Sequence, residues 1–266
     1  MKLMVRIAAL FAAAILMVAI FATIRATAGS TYPSSSQQAL KELRRSASLG
    51  AHWSDFGIGS SVRARIHTVK ASGGESTEVQ IKELTARSNE EVTISLFDGE
   101  HREDLLDQHY PLDIPGFAES NATRLADDSA MVAGKLRRAE VYKFTRTDKI
   151  LYETRTIEWT FWLVPGVPEG EARRVTQETS TDPNNGDTDD VKLTDLDVPF
   201  VVGRKTLHCY CRDSEDKYID GRVEHGRICY NSSVPGGVVK KDARITENGK
   251  ETSRQDYVVV DYHVER

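Results

Sequence analysis

Val62, Ala64, Ile66 and Thr68 alternate with Arg63, Arg65 and His67. Side chains repeating every second residue belong to a strand with one buried and one wet face. The period returns at Val79 and Ile81, at Val92, Ile94 and Leu96, at Ile157, Trp159, Phe161 and Leu163, and at Val258, Val260, Tyr262 and Val264. Turn residues separate the runs: Ser72-Gly73-Gly74, Ser88-Asn89 and Glu247-Asn248-Gly249-Lys250. The last is the strongest hairpin signal in the chain. This pattern predicts a mainly β fold of antiparallel curved sheets, arranged as a half-barrel or a sandwich. Trp162 faces away from Phe161 and Leu163, so its strand is apolar on both sides near its end and is expected to be central.

Residues 98–134 break the rhythm. Pro111, Pro115 and Gly116 mark loops. Ser120 caps a predicted helix over 121–133, with Gly134 as its stop. Leu125, Met131 and Val132 would let this inserted helix cover an open side of a sheet.

The N-terminal segment places the chain. Lys2 and Arg6 precede an uncharged apolar run over 7–24, closed by Arg25. Its 18 residues would span about 27 Å as a helix, enough to cross a bilayer core. Ala26-Thr27-Ala28 before Gly29 is also an acceptable cleavage site. Residues 1–28 are therefore a signal peptide or a transmembrane anchor. Either one predicts an extracytoplasmic location, with the membrane as a partner through this hydrophobic helix. Residues 29–50 read as a Ser-rich linker followed by a short helix over 37–47, and 51–266 as the β-rich region.

The whole chain carries a net charge of −5. Lys2, Arg6 and Arg25 are basic and nothing in the first 28 residues is acidic, so the exported part is more acidic still. That argues against nucleic acid as a partner. No G-x-S-x-G elbow, Walker loop or G-x-G-x-x-G occurs, and no carboxylate pair stands out for acid–base work.

Three cysteines are present, Cys209, Cys211 and Cys229. Cys209 and Cys211 share a strand face and cannot easily bond to each other. Either could pair with Cys229 on a neighbouring strand, with Cys211–Cys229 the favoured disulfide, and buried free thiols are the alternative. A metal site that adds His208 is disfavoured, because His208 points to the opposite face and C-x-C-x17-C has no familiar zinc spacing. His101, Asp104, Asp107 and His109 supply metal-ligand types, but Pro111 and their order favour a solvated segment. The acid-rich stretch around Asp182, Asp187 and Asp189 resembles a calcium loop, although Gly186 is misplaced and no Glu closes it. Calcium is the one cofactor considered. Asn121-Ala122-Thr123 and Asn231-Ser232-Ser233 match a short glycosylation pattern that often arises by chance.

An internal echo is visible between 134–197 and 203–266. Gly134-Lys135 and Gly203-Arg204-Lys205 each open a strand, and an aromatic, Val-Pro-Gly and a new strand follow at nearly the same offset, at Pro165-Gly166 and Pro235-Gly236. Pro removes a ladder donor and Gly permits a bend, so each segment turns a corner. Phe56-Gly57-Ile58-Gly59 and Phe200-Val201-Val202-Gly203 echo each other as well.

Trp53-x-x-Phe56-x-x-Gly59, the long hairpins and the run from Ser233-Val234-Pro235-Gly236-Gly237 to Lys240 resemble a group of uncharacterised exported proteins of planctomycete-type bacteria, over 50–266. The resemblance implies no activity. The long strands with an inserted helix are also similar in architecture to the half-open barrels of LolA-like lipoprotein carriers. Three functions follow as expectations. The first is a membrane-tethered binding or structural module for an unknown protein or other ligand. The second is a carrier of a lipid or other apolar ligand, lined by Trp159 and Phe161. The third is a hydrolase whose site assembles only in the fold.

Overall fold

The period-two segments pair side by side into a single sheet. The computed structural model describes Gln38, Leu43 and residues 50–99, 101–112, 122–150, 153–182 and 186–265. The N-terminal segment 1–28, and the predicted helix over 37–47 apart from the helical Gln38 and Leu43, lie outside these residues. Among the described residues no helix is long and apolar enough to cross a membrane.

A single helical turn, α1 (Ala51–Ser54), precedes fourteen strands. These are β1 (Ser61–Lys70), β2 (Glu75–Arg87), β3 (Glu91–Asp98), β4 (His101–Pro111), β5 (Thr123–Arg124), β6 (Asp128–Val132) and β7 (Lys135–Ile150), followed by β8 (Glu153–Leu163), β9 (Glu171–Ser180), β10 (Thr188–Val202), β11 (Lys205–Lys217), β12 (Arg222–Tyr230), β13 (Val238–Glu247) and β14 (Lys250–His263). Their order across the sheet is β4-β3-β2-β1-β14-β13-β12-β11-β10-β9-β8-β7-β5, with β6 also paired to β7. Two antiparallel meanders, β1 to β4 and β7 to β14, thus join where β1 pairs with β14, Val62 opposite Tyr262. The sheet is curved and unclosed. Register shifts at Arg63/Ala64, Leu84/Ala86 and twice between Leu193 and Val198 supply bends, because an extra residue on one strand increases its local twist.

Turn chemistry accounts for the hairpins. Asn248 and Gly249 have φ of 50° and 75°, the paired left-handed geometry that favours Asn-Gly. Ala133 and Gly134 do the same, at 47° and 75°. Here the structure corrects the sequence reading. Residues 123–132 are not a helix but strands β5 and β6, and Gly134 completes a hairpin turn rather than a helix stop. Ala130 and Val132 are buried while Met131 is 55% exposed, a period of two. Leu125 and Met131 face outward and form no helical stripe. Ser120 and Asn121 lie outside the described residues.

The core lies in patches on both faces of the sheet. Trp53 and Phe56, from the segment before β1, pack on Val62, Leu84, Ile94, Val234 and Val259. Ala130 and Val132 of β6 fold onto Val164, Val167 and Leu193. Leu43 covers Phe144, Phe161 and Leu163, with Trp159 at the edge. Trp159 and Phe161 therefore belong to packed core. Trp162, on the other face, donates its Nε1–H to Asp128 at 3.0 Å and lies under the Arg173 guanidinium. The strand that carries it, β8, runs between β7 and β9.

Candidate functional site

The two Val-Pro-Gly segments are corners, one between β8 and β9 and one between β12 and β13. The second corner fits α1. Gly236 donates its N–H to the His52 carbonyl at 3.2 Å. A Cβ on Gly236 would stand 2.6 Å from Trp53 Nε1. Only glycine permits this approach, and its φ of 75° is the left-handed backbone that glycine adopts without strain. The helical turn is thereby wedged against the sheet, with His52 on one flank and Trp53 on the other.

On the His52 flank, buried charges meet. The first corner continues into Pro168-Glu169-Gly170, where Glu169 is held at φ 55°. Glu169 and Glu171 reach Arg212 of β11 at 2.8 and 2.9 Å. Tyr210 donates its hydroxyl to Glu169 at 2.7 Å. Tyr210 stacks on Tyr230, and Tyr230 on His52, whose Nε2 is 3.7 Å from Glu169. Arg212 is 7% and Glu171 2% exposed. Burial works against the Arg212 charge, but Glu171 and then Glu169 hold the guanidinium protonated far into the alkaline range. Burial also works against the Glu169 charge, and Arg212, His52 and Tyr210 outweigh it, leaving the carboxyl below its usual range. Glu171 Oε2 and Arg212 Nε remain buried without hydrogen-bond partners. This cluster fixes two corners and α1 in one arrangement. A non-glycine residue in the left-handed region costs about 1–3 kcal/mol and persists only where its surroundings over-determine it.

On the Trp53 flank is a recess of about 80 Å³ walled by Trp53, Tyr110, Pro235 and Tyr257, with Lys82 among its lining residues. The Lys82 Nζ lies 5.4 Å over the Tyr257 ring. Lys82 makes no ion pair among the described residues. Burial, and then repulsion from Lys241, pull its ammonium below the ordinary lysine range. Lys241 sits opposite Tyr257 on the neighbouring strand and holds Glu224 at 3.3 Å. Burial pushes the Tyr257 phenol up to about 12, so it stays protonated. Neither the Tyr257 hydroxyl nor Trp53 Nε1 has a hydrogen-bond partner among the described residues.

The residues singled out from the sequence lie elsewhere. Cys211 and Cys229 are directly opposite across β11 and β12 and are joined as a disulfide, while Cys209 is free and buried. His208 faces away and meets Asp197 at 2.5 Å. Asp182 lies two residues past β9, its N–H bonded to Ser180 Oγ, and the Asp187 carbonyl accepts from Glu178 N–H. Asp189 stands opposite Asp216 across β10 and β11. Among the described residues no three His, Cys, Asp or Glu side chains converge as a metal site. Asp107 and His109 are both on β4, where they take hydrogen bonds with Ser95 and Thr93 of β3. The side chains of His101 and Asp104 lie outside the described residues. Asn231 donates Nδ2–H to the His208 carbonyl. His67, His109, His225 and His263 each pair with a nearby exposed or half-exposed Glu.

Lys82, Tyr257, Glu169, Glu171 and Arg212 went unread in the sequence. One signal was there. Lys82 and Leu84 share a strand face, and Leu84 is wholly buried, so the face assumed to be wet is the inner one.

No family model matches the chain, and neither does any curated protein. Among solved structures, it is similar to a predicted exported protein with a YmcC-like fold from Bacteroides fragilis. That match has 8% identity, covers 78% of this chain and 97% of the other, and has a TM-score of 0.34. A predicted thioesterase II from Thermobifida fusca matches at 9% identity over 83% of this chain and 86% of the other, with a TM-score of 0.12. At these scores neither match carries fold or activity over to this chain.

Proposed function

We propose that this protein is an exported binding module at the outer side of the cytoplasmic membrane. It is tethered through residues 7–24 or released by cleavage after Ala28, and it holds a small ligand in the recess beneath α1. The apolar N-terminal run and the Cys211–Cys229 disulfide support export, since disulfides persist in oxidising compartments. The observation that carries the binding reading is Lys82, a desolvated ammonium among aromatic walls with no carboxylate to receive it. Removing an unpaired charge from water is costly, and a perturbed titratable group in a concave site is a candidate functional residue.

Size narrows the ligand. About 80 Å³ is room for a small group, the scale of a head group. A carrier of whole acyl chains asks for a cavity of several hundred Å³, so the recess supports a binding module over an apolar carrier.

Native mass spectrometry of the full-length protein from an exporting host, with lipid extraction in parallel, tests the reading. The expected result is one small molecule per chain, lost in Lys82→Met. A bare chain mass, together with no response to any added small molecule, overturns it. The same spectrum reports whether residues 1–28 remain.

A further inference from the structure

Three residues that carry side-chain donors line the same recess: Lys82, Trp53 and Tyr257. None has a protein acceptor among the described residues. Several cations elsewhere on the sheet are paired. Lys143 meets Glu158, Arg173 meets Asp190 and Lys217 meets Glu215, each within 2.8 Å. Lys82 has no such partner, and beside it the recess has an indole residue and tyrosines whose hydroxyls can donate or accept. A neutral apolar guest would leave all three unsatisfied, and buried unsatisfied donors are expensive. A cationic guest would meet Lys82 and, beyond it, Lys241. The missing component is an anionic acceptor.

Its shape follows from the walls. Trp53, Tyr110 and Tyr257 line it with flat rings, and about 80 Å³ suits a small planar group. A carboxylate has three heavy atoms in a plane and only accepts hydrogen bonds when ionised.

We propose that the Lys82 recess is a carboxylate receptor, in which the Lys82 ammonium pairs with the ligand's carboxylate while the Trp53 indole N–H and the Tyr257 hydroxyl fix its plane. This rests on the reading of the protein as a binding module and names the ligand class of the same recess. The wedge of α1 against Gly236 holds Trp53 in position, and the Glu169–Arg212 cluster holds α1 from its other flank. The recess is therefore preorganised, and little ordering cost is left to binding.

Full-length protein labelled with nitrogen-15 at tryptophan reports the test, with the Trp53 indole signal assigned from Trp53→Phe. The probe is benzoate, compared with decanoate, inorganic phosphate and neutral benzyl alcohol. Benzoate is expected to saturate and to move the Trp53 indole signal downfield while leaving Trp159 and Trp162 in place. Lys82→Met is expected to weaken benzoate about tenfold or more, the scale of a hydrogen bond to a charged group. Lys217→Met, an exposed lysine already paired with Glu215, is expected to change nothing. Thermal unfolding of Lys82→Met provides the folding check, and a melting temperature at or above wild type is expected because a desolvated charge is gone. Decanoate binding more tightly than benzoate identifies a lipid as the carboxylate's source, and the reverse identifies a free aromatic acid.

Phosphate binding as tightly as benzoate at the same signal overturns the carboxylate assignment. If benzyl alcohol moves the Trp53 signal as benzoate does, and Lys82→Met keeps the response, the receptor proposal fails while the binding module stands. If no probe moves Trp53, both fail together.

Discussion

Glu169 meets Arg212 at 2.8 Å while its own backbone sits at φ 55°. A carboxylate-bearing residue is kept in a conformation usually left to glycine because the ion pair holds it there. Arg212 is the only guanidinium within hydrogen-bonding reach of both Glu169 and Glu171 among the described residues. Arg212→Met is therefore expected to leave two buried carboxylates uncompensated and to cost about 3–5 kcal/mol, read by urea unfolding at neutral pH. Adding Glu169→Gln and Glu171→Gln to that variant is expected to restore part of the loss. A single variant as stable as wild type would mean that the cluster is not holding the corners.

Gly236 against Trp53 makes a second test. Gly236→Ala places a methyl 2.6 Å from the indole at a φ of 75°. The expected loss is about 1–3 kcal/mol, the usual scale of overpacking, together with a shifted tryptophan emission. Gly74→Ala, with open space around it, is expected to stay within about 0.5 kcal/mol, as surface substitutions do. Equal effects at both sites would show that the indole is free to move.

The carboxyls of Asp189 and Asp216 face each other across β10 and β11. Burial first, and then the proton shared with Asp216 and its charge, push Asp189 up to about 7. Between the unfolded carboxyl range near pH 4 and pH 7 the folded state holds a proton that the unfolded state has lost. Stability from this pair is therefore full at low pH and falls as pH rises toward 7. Asp189→Asn is expected to flatten that fall and to stabilise the protein at pH 8, measured by denaturant midpoints across the range. A variant less stable than wild type at pH 8 would refute the assignment.

Cysteine chemistry gives a fourth expectation. Burial pushes the Cys209 thiol up to about 11, so alkylating reagents are expected to find no thiol in the native protein and one after unfolding without reductant. Reducing the Cys211–Cys229 disulfide is expected to cost about 2–4 kcal/mol, read as a lowered denaturant midpoint, and to add two hydrogens to the mass. Two reactive thiols beyond Cys209 before reduction would show that the disulfide is absent.

Much of the sheet was legible because local chemistry dictates it. Asn248-Gly249 encodes its own turn, and Val62, Ala64 and Ile66 encode their own burial. The segment over 121–133 misled because it carries a helix-like cap and stop, and Ala133 takes a left-handed backbone that no propensity favours. The recess and the charge cluster were illegible for a different reason. Lys82, Trp53, Tyr257, Glu169 and Arg212 come from distant parts of the chain, and each looks ordinary in its own neighbourhood. A lysine in a strand signals a wet face until its strand neighbour Leu84 proves buried. Pairing β1 to β14 brings Lys82 to Tyr257, while Glu169 meets Arg212 within the second meander.

That pairing also decides the order in which the protein can be made. β1 finds β14 as its neighbour, and the segment leading into β1 is clasped by Glu265, whose carbonyl accepts from Gly57 and whose N–H bonds to Ser60. A chain delivered from its N-terminal end keeps one side of β1 vacant until the last strand of the sheet has emerged. The first meander can mature early, but the finished sheet is a late, all-at-once closure with high contact order. Through that interval the edge of β1 is open to any other strand. The hazard during folding therefore sits at the seam between the first strand and the last, and a helper that shields β1 would serve this protein better than one that covers its outer edges.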